Sequence, residues 1–219
     1  MITEGLLQFL IFIFQAAAFI YAVIIHEYMH GWVADRLGDP TARLSGRLTM
    51  NPLPHIDWYG SVVLPLLLIV LNTGFVFGWA KPVPINPYNL RDHKYGSAKV
   101  AAAGPLGNLI MALMFGLSLR FILSNPQFQL GGPMVVVLLG YIVLINLLLM
   151  VFNLIPIPPL DGSKIIMPFL PLRWQLKILE LERVGLILVL IFVMLFFQWL
   201  APIIFILFKI IVGVPFDSF

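Results

Sequence analysis

His26-Glu27-Tyr28-Met29-His30 sets two imidazoles four residues apart, with a carboxylate beside the first. On a helix this spacing puts both rings on one face, one turn from each other, where they can share one Zn²⁺. Glu27 then stands where it can take a proton from a water acidified by the metal. A catalytic zinc takes three protein ligands and keeps a position open, so a third group is needed. His55, His93, Asp57, Asp92 and Asp161 are the main candidates, with Glu180 and Glu182 behind them. Asp161 stands out because it follows Pro156-Ile157-Pro158-Pro159, precedes Gly162 and sits at the mouth of an apolar stretch. Proline's fixed φ can place such a group without helical hydrogen bonds. A carboxylate at membrane depth is costly unless it is paired or metal-bound. The plainer reading is that Asp161 caps a helix beginning near Ser163, and the residues alone leave both open.

The elements that must position these groups are apolar. Of 219 residues, 61% are hydrophobic and 11% charged, whereas soluble domains are nearer half apolar and a quarter charged. Apolar runs of about 20 residues, without ten-residue alternating segments, predict helices and not barrel strands. The fold class expected is therefore an all-α polytopic membrane protein. It has about four full transmembrane helices and a re-entrant segment, or five to six spans, with short irregular or β-like loops. The spans fall at about 5–34, 98–123, 134–155 and 184–212. The last is either one tilted helix or a helix broken near Ala201-Pro202. An interfacial amphipathic helix is expected at 173–183. Residues 1–219 are expected to form a single membrane core. The N-terminus lacks a basic region and a cleavage site, so it reads as a retained helix. Without cysteine, disulfides and thiolate metal sites are excluded.

Charge decides the reading of residues 61–78, which are interrupted by Pro65 and Asn72-Thr73-Gly74. If they dip in and return, all Lys and Arg except Arg120 and Lys209 fall on one side, eleven of the thirteen. If they cross, the split is eight to five. Basic residues collect in cytoplasmic loops, so re-entry is expected. That puts both termini outside and the two motif histidines and Asp161 at a shared cytoplasmic depth. The net charge of +3 has the same origin, and no basic run interleaved with aromatics points to nucleic acid.

Three motifs in order, His26-Glu27-Tyr28-Met29-His30, Gly104-Pro105-Leu106-Gly107-Asn108 and Asn153-Leu154-Ile155-Pro156-Ile157-Pro158-Pro159-Leu160-Asp161-Gly162, resemble the site-2 protease family of intramembrane zinc metalloproteases (peptidase M50). The likeness covers nearly the whole chain. Asn51–Asp57 and Gly78–Pro87 resemble loops of the compact, PDZ-less bacterial and archaeal subgroup, and neither a PDZ nor a CBS domain is expected within residues 1–219. The resemblance implies zinc on His26, His30 and Asp161, one per chain, with Glu27 as catalytic base. It implies substrate-backbone or oxyanion contacts for Asn108 and Asn153. It also implies a transmembrane protein as substrate, a multi-pass place in a prokaryotic cell membrane and a site toward the cytoplasm. For the asparagines, helix–helix hydrogen bonding is the rival reading. Asn146 reads as interhelical glue, His55 and Asp57 as loop-fixing groups, and His93 as solvated. The rival functions are a non-catalytic zinc binder (pseudoprotease or carrier) and a membrane-bound protease for soluble peptides.

Overall fold

A computed structural model describes residues 2–71, 80–125, 127 and 132–218. Helix α1, Ile2–Arg36, is an apolar run with Glu4 in its first turn and Arg36 in its last, the arrangement that complements the helix dipole. It rises about 50 Å, more than the roughly 30 Å hydrocarbon core. Most of its first twenty residues are exposed, and burial sets in from Ala22. Gly38, at φ +111°, ends it, with the Asp39 amide donating back to the Ala34 carbonyl. Only a residue tolerant of positive φ closes a helix this way.

A short α2, Thr41–Leu44, is followed by a loop and a π-helical turn, Trp58–Val63, that continues as α3, Leu64–Val70. Asp57 caps this turn by accepting from the Gly60 amide. Six plus seven residues rise about 20 Å, too little to cross. The predicted reversal at Asn72-Thr73-Gly74 lies outside the described residues. From Ala80 to Leu90 an irregular strap runs back over the end of α1, and Leu90 packs on Ala34 and Val100.

Helices α4, Gly96–Ser124, and α5, Gly132–Asn153, are each long and apolar enough to cross a membrane, as is α1. After a proline-rich turn come α6, Asp161–Ile166, α7, Leu172–Leu181, and α8, Gly185–Val212. The stretch Leu172–Phe196 meets Gln198–Val212 at 76°. The break lies just ahead of Ala201-Pro202, where a proline ring crowds the carbonyl four residues earlier, here that of Gln198. Helix α7 buries only Ile178, leaving Trp174, Leu176 and Leu179 exposed, as at a lipid interface. Among the described residues there is no strand, and the protein is an all-α polytopic membrane protein.

Two groups of contacts set the position of the site. One is the core of α4, α5 and α8, built on Leu119, Val143, Leu147, Ile204 and Phe208. The other is a small-residue face of α4. A Cβ at Gly107 would stand 2.6 Å from Met29, and one at Gly116 would run into Ile211. Without side chains there, α1 and α8 lie close against α4, the packing that membrane helices use in place of a hydrophobic driving force.

Candidate metal centre

His26 and His30 lie in the buried end of α1, facing α4, each 6% exposed. Asp161 is the first residue of α6 and is 8% exposed. The turn before it is held by hydrogen bonds from Leu160 to the Ile157 carbonyl and from the Ser163 hydroxyl to the Leu160 carbonyl. Gly162 is required there, because a Cβ would overlap the carbonyls of Leu154 and Ile155. The helix therefore starts at Asp161 itself, and the carboxylate does not cap it but points at the imidazoles. Asp161 Oδ2 is 2.9 Å from His26 Nε2 and 3.2 Å from His30 Nε2, and the two Nε2 atoms are 3.0 Å apart. Among the described residues this is the one cluster of three metal-ligating side chains.

The outer nitrogens decide what these inner atoms carry. Asn108 Nδ2 is 3.0 Å from the Ala22 carbonyl and 3.0 Å from Asn146 Oδ1. A backbone carbonyl only accepts, so the amide nitrogen must lie on that side. That turns Oδ1 toward His26 Nδ1, 2.7 Å away, and Nδ1 must be the donor. His30 Nδ1 likewise faces the Val100 carbonyl at 2.7 Å and must donate. Neutral imidazoles with Nδ1–H present lone pairs at both Nε2 atoms. Two nitrogen lone pairs and a carboxylate oxygen thus converge on one point, an arrangement that repels itself unless a cation or added protons lie between.

The donor set fits zinc. Ligands about 2.0–2.1 Å from a tetrahedral Zn²⁺ lie about 3.3 Å from one another, and the observed edges, 2.9–3.2 Å, are only slightly tighter. The imidazole orientation is also of the metal-site kind, each ring anchored through its other nitrogen. Gly104 leaves the room, since a Cβ there would meet His30 Nε2 and stand 2.6 Å from His26 Nε2.

Glu27 is half-buried on α1, and its Oε2 accepts from the Val83 amide of the strap at 2.8 Å. At the strap's far end Asp39, fully buried, accepts from Thr41, the Asn86 amide and Asn89 Nδ2. Burial alone would raise its pKa, but these donors outweigh that and hold the carboxyl below its ordinary value.

Of the residues read from sequence, His26, His30 and Asp161 meet and Glu27 borders them. Asn108 is wholly buried and its polar atoms are engaged by α1 and α5, so the contacts favour the helix-bonding reading over a substrate contact. Asn153 turns its amide to the Leu149 carbonyl of its own helix, 3.0 Å away. His55 is buried against the Thr49 carbonyl, and His93 is exposed. Sequence reasoning named Gly104 within its second motif without placing it against the imidazoles, and it missed the Val100 carbonyl and Val83. The spacing of Gly104, Gly107 and Asn108 on one helical face was the signal available for the first. Backbone groups leave no such signal.

The chain is similar to three proteins named "Putative zinc metalloprotease". It is 34% identical to YwhC of Bacillus subtilis, over 78% of this chain and 76% of the relative. It is 30% identical to Rip2 of Mycolicibacterium smegmatis, over 83% of this chain and 66% of the relative. It is 30% identical to MJ0611 of Methanocaldococcus jannaschii, over 84% and 83%. No protein-family model matches, and no solved structure matches.

Proposed function

This chain belongs to the zinc metalloprotease family of YwhC and MJ0611, and from that premise we propose that it is an intramembrane endopeptidase of the site-2 protease type. It would cut peptide bonds in or near transmembrane helices of other membrane proteins. His26, His30 and Asp161 would hold one zinc ion. The observation that carries this reading is the convergence of three lone-pair donors beside Glu27, two of them on a helix long and apolar enough to span a bilayer and the third at the start of the short α6.

Bound zinc supplies a Lewis acid that polarises the scissile carbonyl and acidifies water. Asn108 and Val100 hold the imidazoles by their Nδ1–H groups, so the Nε2 lone pairs stay aimed inward. Glu27 takes a proton from the attacking water and returns it to the leaving amine. The substrate helix must unwind locally, since its amides are already bonded. The distribution of Lys and Arg supports a site toward the cytoplasmic side.

Glu27→Gln should keep one zinc per chain and abolish cleavage of a helical substrate in vesicles, read by mass of the products. His26→Ala and Asp161→Ala should each lose the metal, read by metal analysis. Residual cutting by Glu27→Gln removes the assigned base, and zinc retained by Asp161→Ala removes the third ligand. One zinc per chain with no cleavage of any helical substrate would favour the non-catalytic binder.

A further inference from the structure

Arg47 is buried, 7% exposed, and its Nη2 donates to two backbone carbonyls, those of Lys81 at 2.6 Å and Pro82 at 3.2 Å. Among the described residues no carboxylate pairs with it. A buried cation set against neutral carbonyls is costly, so its placement calls for a reason. The Pro82 carbonyl and the Val83 N–H are opposite ends of one rigid, planar peptide. Arg47 grips one end, and Glu27 Oε2 accepts from the other at 2.8 Å. Pro82 and Pro84 have no N–H, so Val83 offers the sole main-chain donor of that stretch. The peptide is fenced on both sides. The Lys81 amide donates to the His55 carbonyl at 2.9 Å, and the Asn86 amide donates to Asp39 at 2.6 Å. A donor on the carbonyl also polarises the peptide and strengthens its N–H as a donor.

We propose that Arg47 is a positioning residue for Glu27, which, through the Pro82–Val83 peptide, fixes one carboxylate oxygen and leaves the other directed to the water and the leaving amine. The proposal deepens the protease reading and rests on Glu27 being its base.

The test uses the full-length protein in vesicles and the Arg47→Met and Arg47→Lys variants. Both should bind zinc at the wild-type stoichiometry. For Arg47→Met, kcat should fall roughly 10- to 100-fold, the scale of a misplaced catalytic group, with KM within about twofold. Arg47→Lys, which keeps a cation and one donor, should recover part of that loss. In the metal-free protein the Val83 amide should exchange at least about tenfold faster in Arg47→Met, while the Asn86 amide, held by Asp39, should not change. A kcat within twofold of wild type, unchanged Val83 exchange, or zinc lost together with activity would each overturn the proposal. A rise in kcat would do so as well, since it would make the strap a brake. If Arg47→Met does not fold, Arg47→Lys decides by the same readouts. A wild-type protein that cuts nothing sinks the protease reading, and the exchange comparison still decides whether Arg47 holds the peptide.

Discussion

Asn108 shows how one buried amide can govern a candidate metal centre from behind one of its imidazoles. Its oxygen fixes the proton on His26 Nδ1, and its nitrogen ties that arrangement to Ala22 and Asn146. Removing a ligand's outer partner typically costs 10–100-fold in metal affinity. Asn108→Leu, close in volume but without an acceptor, is expected to weaken zinc binding by about that factor, measured by chelator competition, while Asn108→Asp retains an acceptor and loses less. Histidine spacing and a proline-braced aspartate were legible in the chain because they are side-chain types at fixed intervals. Asn108 was legible as a polar residue in an apolar helix, which could serve a substrate or a neighbouring helix with equal ease. Arg47 was visible only as one more cytoplasmic charge. Its partners are main-chain carbonyls, which every residue has, so no pattern of letters announces them.

At the scale of elements, α4 is the wall against which the site is built. Gly104 leaves a hollow the size of the two imidazole tips, and Gly107 seats Met29 one turn on. Gly104→Ala adds a methyl group against the two imidazole tips. In a helix interior alanine is favoured over glycine by about 1 kcal/mol, so the helix should persist. The expected result is zinc affinity lowered at least about tenfold with helical content unchanged by circular dichroism. Wild-type affinity in this variant would mean that the rings separate more readily than the packing implies. The helices were foreseen to within a few residues, because long apolar runs have few alternatives in lipid. For α8 the sequence left open one tilted helix or a break near Ala201-Pro202, and the bend is real. The structure places it a few residues earlier, where the proline ring meets a carbonyl, a displacement that follows from helix geometry and is invisible to residue type alone. The course of 80–90 was not foreseen, since a strap held by Asp39, Arg47 and Glu27 depends on residues far apart in sequence.

For the whole molecule, the placement of its cations makes a testable prediction of sidedness. The absence of cysteine makes single-cysteine labelling clean. With residues 61–78 re-entrant, Ser45→Cys and His93→Cys should both resist a membrane-impermeant maleimide until cells are opened, whereas Ser218→Cys should react on intact cells. Ser45 and His93 on opposite sides would show that 61–78 crosses. The meeting of α1 with α6 carries one more consequence, for the timing of synthesis. A chain still on the ribosome holds the histidine pair from early on, but the proposed ligand set is incomplete until Asp161 has been translated and the helices between have entered the bilayer. A prematurely released fragment would be inert, and the cell would be spared a half-made hydrolase among its own membrane proteins.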